Sequence, residues 1–269
     1  MKELNNLVIL RGGGDLGSGA AHRLFKAGFK VLITEIDKPL VIRRLVSFAN
    51  AVYSGFTEIE SVKARIANSF DEIKQVLDKN EIPVLIDPEL AILKKIKPLA
   101  VIDATLAKKN IGTNKNMARI ALALGPGYCA GVDVDAVIET SRGHNLGRII
   151  YKGFAEKDTG IPGNISGYTT ERVLRSPCSG LIKNVFDIGA RVNKGDIIAY
   201  VEEKPVIADI SGVIRGLIMN GTVVAVGQKI GDIDPRGKIE YCNTISDKAR
   251  TISGGVLEAL MFLMLAIRE

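Results

Sequence analysis

The stretch Leu7-Val8-Ile9-Leu10-Arg11-Gly12-Gly13-Gly14-Asp15-Leu16-Gly17 decides the fold. Four apolar residues in a row read as a buried strand, the glycines as a tight turn, and Gly17 to Ala27 as a helix. In such a strand–turn–helix the first glycine permits the turn. The second lets the backbone approach a pyrophosphate, and the third brings the helix close to the sheet. The bare N–H groups and positive end of that helix favour an anion. Lys30 to Glu35 (KVLITE) is the next strand. Glu35 ends it 23 residues after Gly12, where a carboxylate accepts bonds from ribose hydroxyls. Gly12, Gly14, Gly17 and Glu35 are therefore the candidate cofactor-binding residues, with NAD or another nucleotide as the cofactor. An acid at position 35 favours NAD over NADP, although Arg43 and Arg44 follow closely. Asp15 opposes a diphosphate unless its carboxylate turns away or engages a metal. The competing reading is a loop that holds no ligand.

Outward from this stretch, strands and helices alternate. Ser69-Phe-Asp-Glu72 has the form of a capping box before an amphipathic helix. Ile82 to Ile86 reads as a strand, Glu89 to Ile96 as a helix, and Leu99 to Asp103 and Arg119 to Leu124 as further strands. Such alternation predicts parallel pairing with helices on both faces, a Rossmann-like doubly wound parallel sheet over residues 1–124.

Glycine-rich connecting strands and loops follow over 125–172. Gly125-Pro-Gly-Tyr-Cys129-Ala-Gly131 precedes Asp133, Asp135, Glu139, Arg142, His144 and Arg148, which supply acids, bases and anion-binding forks within sixteen residues. Alternation along Val132 to Ile138 predicts Asp133 and Asp135 on one face. The catalytic candidates are His144, Glu139 and Cys129, and Arg142, Arg148 and Arg236 are candidates for holding an anionic substrate. The competing reading is a solvated strand edge with a salt-bridged turn. No HxH or HExxH spacing is present, and no metal site is expected.

Over 173–235 a repeat appears at an offset of 32. Ser179-Gly-Leu-Ile182 matches Ser211-Gly-Val-Ile214, and Gly189, Val192, Gly195 and Ile198 match Gly221, Val224, Gly227 and Ile230. This segment resembles the barrel-sandwich hybrid fold of biotinyl and lipoyl carrier domains, which hold a modified lysine on a hairpin tip. Lys204 is the candidate there, but its hairpin is shorter and its flanks differ, so no covalent biotin or lipoate is expected. Residues 236–269 contain the Asp234-Pro-Arg236-Gly turn's continuation, a Ser246-Asp247 cap and a strongly apolar helix within Ile245 to Ile267. That helix is expected to pack back on the core or at a dimer interface.

Length and composition bound the function. A chain of 269 residues suggests about two domains. With 46% apolar and 25% charged residues it is globular, and Val256 to Ile267 is shorter than the ~20 residues a membrane span needs. No targeting signal is readable in MKELNNLVIL, so the expected location is the cytoplasm. The net charge of +6 comes from scattered lysines and arginines, with 5% aromatics and no tryptophan, which disfavours nucleic acid. Three separated cysteines build neither a disulfide framework nor a zinc ribbon.

Taken together, LRGGGDLGSG, GFKVLITEIDKPLVIRR, AVYSG, ALGPGYCAGVDVDAVIETSRGHNLGR, GDIDPRG and ISDKARTISGGVLEAL resemble the YqeB-type family of accessory proteins for selenium-dependent molybdenum hydroxylases. The resemblance implies a cytoplasmic maturation factor whose partners are the molybdenum hydroxylase and other maturation proteins. Some relatives look like fusions to an upstream domain, which a chain opening on its first strand is expected to lack. Two further readings stand beside it: an NAD-dependent oxidoreductase with His144 as acid–base group, and a non-enzymatic scaffold that docks the molybdenum enzyme. A homo-oligomer is compatible with each.

Overall fold

The computed structural model describes residues 6–158 and 160–266, and the chain divides into two compact units. The first runs to Pro39, resumes over Ser47–Asp158 and closes from Ile245 onward. It holds nine strands: β1 (Leu7–Arg11), β2 (Lys30–Glu35), β3 (Phe56–Ile59), β4 (Val62–Ile66), β5 (Ile82–Ile86), β6 (Ala100–Asp103), β7 (Ile120–Leu124), β8 (Ala136–Ile138) and β9 (Ile149–Ile150). They lie in one sheet in the order β3-β4-β5-β2-β1-β6-β7-β8-β9. From β4 to β8 every pairing is parallel, and β3 and β9 are antiparallel edges. Every residue of β1 and β7 is buried, as expected for strands covered on both faces, hence their unbroken apolar runs.

The expected doubly wound parallel sheet with a barrel-sandwich hybrid domain is not what forms. The large sheet is mixed, and the rest of the strands form two antiparallel sheets. Helices α1 (Asp15–Lys26) and α3 (Phe70–Asp78) are regular, with Ser69 capping α3 at Glu72 N–H, and α2 (Ala51–Ser54) is a single turn. Beyond β5 the crossover helices are missing. The helix expected over Glu89 to Ile96 is a short 3-10 turn, Ala91–Lys94. Asp87 accepts the N–H groups of both Ala91 and Ile92 at 2.8 Å, and Leu90 is left-handed at φ 55°, so one tight turn replaces the helix.

The missing cover is supplied from the end of the chain. Helix α5, Asp247–Ala266, lies against α1, β7 and β8. (The short α4, Glu240–Asn243, belongs to the second unit.) Ala249, Ile252, Ser253, Val256, Ala259 and Leu260 form the buried face of α5, at spacings of three and four. Small residues bring it close. A methyl on Gly19 would lie 2.9 Å from the Ala249 Cβ, and one on Gly255 would strike the carbonyl oxygen of Gly147. Ser246 Oγ accepts the Ala249 N–H at 3.1 Å as the expected cap. Glu60, in the two-residue turn between β3 and β4, accepts Ile245 N–H at 2.9 Å and Arg250 Nη2 at 2.6 Å. Burial raises the pKa of that carboxyl, but the two donors outweigh it and hold it below the ordinary glutamate range.

Helical residues Glu240–Ala266 are together long and apolar enough, by length and composition, to cross a membrane, although Val256 to Ile267 alone is short. In the most apolar window 39% is buried inside the protein, and no other helix among the described residues is long and apolar enough to cross a membrane. Ile267 lies outside the described residues.

The second unit comprises Leu40–Val46 and Thr159–Thr244. Its strands are β10 (Val173–Arg175), β11 (Gly180–Asn184), β12 (Arg191–Val192), β13 (Ile197–Val201), β14 (Lys204–Ile207), β15 (Gly212–Leu217), β16 (Val223–Val224) and β17 (Lys229–Asp234). The offset of 32 carries β11 onto β15, β12 onto β16 and β13 onto β17. The two sheets, β14-β13-β11-β16 and β10-β17-β15-β12, interchange under the same mapping. Their shared core obeys it too: Ile182 with Ile214, Val192 with Val224, Ile198 with Ile230, and Val201 with Ile233. Each half buries its apolar face against the other, with Ile42 of the Leu40–Val46 segment packed on the same core.

Adjacent glycines of α5 should respond with opposite signs. Gly254 faces open space, so Gly254→Ala should stabilise the protein by about 0.5–1 kcal/mol through helix propensity. Gly255→Ala should cost about 1–3 kcal/mol, because the Gly147 backbone must move aside. Urea unfolding of the two variants reads both signs.

Candidate functional site

The carboxyl ends of β1, β2, β6, β7 and β8 gather the sequence candidates of the first unit. The strand order reverses between β1 and β6, where open α/β sheets leave a crevice for ligands. Gly12 takes φ +97° and donates its N–H to Thr34 O at 2.8 Å. Gly17 presses α1 against the Gly12 carbonyl, which a side chain there would strike. Gly14 is the N-cap of α1, extended at φ −63°, with no side-chain cap, and both it and Asp15 are partly exposed. Its carbonyl accepts Ser18 N–H at 2.7 Å.

Gly13 is held by the protein itself. Its N–H donates to Glu35 Oε1 at 2.7 Å, and its carbonyl accepts Ala49 N–H at 2.9 Å. A methyl on Gly13 would lie 2.9 Å from that Ala49 nitrogen, so backbone covers the glycine from outside. Ser18 Oγ donates to Gly13 O at 2.8 Å and accepts Phe48 N–H at 2.7 Å, joining α1 to the covering segment. The second oxygen of Glu35 accepts Ile36 N–H at 3.0 Å. Burial raises the pKa of Glu35, and the two N–H groups only partly oppose it.

A second set of residues escaped the sequence reading of function. Asp103, at the end of β6, is fully buried. Its Oδ1 accepts Thr105 N–H at 3.1 Å and Thr105 Oγ1 at 2.6 Å, and its Oδ2 accepts Thr113 Oγ1 at 2.6 Å and Tyr128 OH at 2.7 Å. Arg11 Nη1 lies 3.6 Å from Oδ2 and donates to Thr113 Oγ1 at 3.1 Å. The same guanidinium donates to the carbonyls of Pro88 and Ile111. Burial, with the Asp103 charge and hydrogen bond behind it, pushes the Tyr128 phenol up to about 12. This carboxylate ties the end of β1 to the loops after β6 and β7, with Arg11 reaching the turn after β5, and it is closed to solvent. Only the position of Asp103 at a strand end was a signal, because Thr105 and Thr113 follow it without a motif and Tyr128 and Arg11 come from elsewhere in the chain.

The remaining candidates separate. Glu139 is buried and accepts the N–H groups of Thr140 and Ser141 at 2.7 Å and of Glu156 at 2.8 Å, which braces the loop after β8. Arg142 forms a bidentate pair with Asp247 at 2.8 and 2.9 Å. His144 and Arg148 are exposed. Cys129 is half-buried, its Sγ 3.8 Å from Ala130 O. Asp133 and Asp135 do not share a strand face. Residues 131–133 form a turn in which Asp133 accepts Cys129 N–H at 2.8 Å, while Asp135 accepts Ala121 N–H at 2.8 Å. Among the described residues no three His, Cys, Asp or Glu side chains converge as metal ligands.

Arg236 belongs to the second unit. It grips Asp234 through Nε at 2.9 Å and Nη2 at 2.6 Å and lies over the Tyr241 ring. Burial pushes Asp234 upward, but Arg236, helped by the charge of Arg215, holds it below the ordinary aspartate range. Lys204 is exposed at the start of β14.

Comparison with known proteins follows this geometry. No family model matches the chain. It is 50% identical over 260 residues to the uncharacterized protein YqeB of Escherichia coli, covering 97% of this chain and 48% of that protein. The chain is thus of YqeB type and spans about half the length of the curated relative it matches. Among solved structures, TcdA (CsdL) is 15% identical with a TM-score of 0.37, over 99% of this chain and 89% of that one. The ectoine utilization protein EutE (DoeB) of Ruegeria pomeroyi, in product-bound form, is 14% identical with a TM-score of 0.28, over 85% and 84%. An aspartoacylase family protein of Mesorhizobium loti is 12% identical with a TM-score of 0.27, over 84% of each chain. Scores this low establish neither a shared fold nor a shared activity.

Two substitutions probe the braces. Tyr128→Phe removes one donor from the buried carboxylate and should cost about 1–3 kcal/mol in urea unfolding. For Glu35, a raised native pKa means that its stabilising contribution is complete below the unfolded value of roughly 4.3 and is lost as pH rises through the native value. Glu35→Gln keeps an acceptor for Gly13 without the charge. The stability of this variant relative to the parent should therefore increase from pH 4 toward neutrality (about pH 7), read from unfolding curves across that range.

Proposed function

We propose that this chain is a cytoplasmic accessory protein in the maturation of a selenium-dependent molybdenum hydroxylase, and that it holds a phosphate-bearing nucleotide at the start of α1. One observation carries the binding reading. The N-terminus of a twelve-residue helix opens at the carboxyl edge of the sheet, at the reversal of strand order, behind an N-cap glycine with no side-chain cap. The N–H groups of a helix's first turn have no acceptor within the helix, and with the helix dipole they favour an anion there.

The braces on Gly13 narrow the ligand. Ala49 covers Gly13, the neighbour of the Gly14 that would admit a pyrophosphate, and Glu35 already accepts the Gly13 N–H. A terminal phosphate approaching from the side of Gly14 fits these contacts better than an extended dinucleotide. The maturation role and its partners, the hydroxylase and other maturation proteins, rest on the sequence resemblance. The same braces favour a second reading, a scaffold that docks the molybdenum enzyme without a nucleotide.

Thermal unfolding with NAD, NADP, CTP and ATP tests the first reading. A ligand at a hundred times its dissociation constant should add about 2.7 kcal/mol. Gly14→Asp introduces a carboxylate that caps α1 and competes with an anion, so the free variant should be at least as stable while the ligand shift disappears. The nucleotide reading falls if no nucleotide raises the melting temperature, or if the shift survives in Gly14→Asp.

A further inference from the structure

We propose that two copies of this chain associate about a two-fold axis through the last described turns of α5 and an apolar ledge beside β9. Up to Leu260 the helix buries one face in its own unit. Beyond it, Met261-Phe262-Leu263-Met264-Leu265-Ala266 continues with six apolar residues, and none of them is buried. Phe262 is 56% exposed and Leu265 58%. A helix that is apolar all round requires cover on more than one side, and its own unit gives this end little.

The ledge is the other half of the surface. The Tyr151 ring meets Phe262 at 5.5 Å between centroids. Gly153 pairs through its backbone with Ala130 at 2.7 and 3.1 Å, which brings the segments of exposed Phe154 and Val132 together beside Tyr151. The neighbouring sheet edge is β9, only two residues long, so side chains rather than strand pairing must supply the contact.

A second copy is the occupant that fits. With aromatic side chains presenting about 150–250 Å² each when fully exposed, the six residues Val132, Tyr151, Phe154, Met261, Phe262 and Leu265 offer on the order of 600 Å². That reaches the upper end of the roughly 300–600 Å² of the largest patch on a monomer and approaches the ~800 Å² per partner of a stable interface. The surface is also self-complementary in kind, a protruding helix end next to a flat aromatic ledge. A two-fold axis sets the helix of each copy on the ledge of the other, the reciprocal arrangement of an isologous dimer. Charge does not oppose it, because Lys152 and Glu258, which flank the patch, have opposite signs. Insertion of α5 into a bilayer would instead strip its inner face from α1 and from the Gly147 backbone.

Sedimentation equilibrium of the full chain at micromolar concentration should give twice the chain mass. Phe262→Glu with Leu265→Glu on the helix, or Tyr151→Glu on the ledge, should each give a monomer with an intact melting transition. Leu265→Lys alone replaces the double variant if that one does not fold. Mixing the helix variant with the ledge variant should restore part of the dimer, since one helix–ledge contact is then intact. A monomeric parent chain, a dimer unaffected by these changes, or no restoration on mixing would overturn the proposal. So would a monomer that binds phosphatidylglycerol vesicles through the same residues, because a lipid surface would then be the cover.

Discussion

The carboxylate of Asp103 is the constraint on which the working edge of the first unit depends. Removing a charge from water costs several kcal/mol unless good donors surround it. Here Thr105, Thr113 and Tyr128 donate directly and Arg11 stands behind them. Two donors come from the loop after β6 and one from the loop after β7, while Arg11 ends β1, so satisfying one buried charge ties these parts of the edge together at once. Through Arg11 the network reaches the Pro88 carbonyl and so the turn after β5 as well. The glycines are the other side of this economy. Gly12 lies against the Ala104 backbone and Gly127 against the Ala107 carbonyl, which is how loops so tightly tied can lie so close.

The same edge shows why acids at strand ends do not by themselves define a ligand site. Glu35, Asp87, Asp103 and Glu139 all stand just where strands end, and each accepts backbone N–H groups of the loops around it. Loops at the carboxyl edge expose donors that no ladder satisfies, and a short acid is the cheapest acceptor for them. The start of α1 is different, because its cap is a glycine that brings no acceptor. The proposed anion site is therefore at that helix and not at the acids.

Much was legible along the chain. The apolar run before Gly12, the cap at Ser69 and the repeat at an offset of 32 are local or periodic signals, and all three are realised as strand, helix start and duplicated sheet. Others failed for identifiable reasons. Glu89 to Ile96 has the apolar spacing of a helix, but Asp87 draws its first N–H groups into a 3-10 turn. Val132 to Ile138 alternates like a strand, yet Asp133 folds its start into a turn by accepting the Cys129 N–H. In both cases an acid bonding to nearby backbone overrides the hydrophobic period.

The sequence by itself determined where the chain is apolar enough to be buried, where glycine permits a turn, and that residues 179–233 are built twice. Those properties depend on neighbours or on regular spacing. Only the tertiary structure decided which face α5 covers, that the great sheet is mixed, and what the buried carboxylates hold. Glu60 and Arg250 are 190 residues apart, and Arg11 and Thr113 are 102 apart. A pairing over such a distance is chosen by packing and by the cost of an unsatisfied buried charge, and neither is written in the residues on either side.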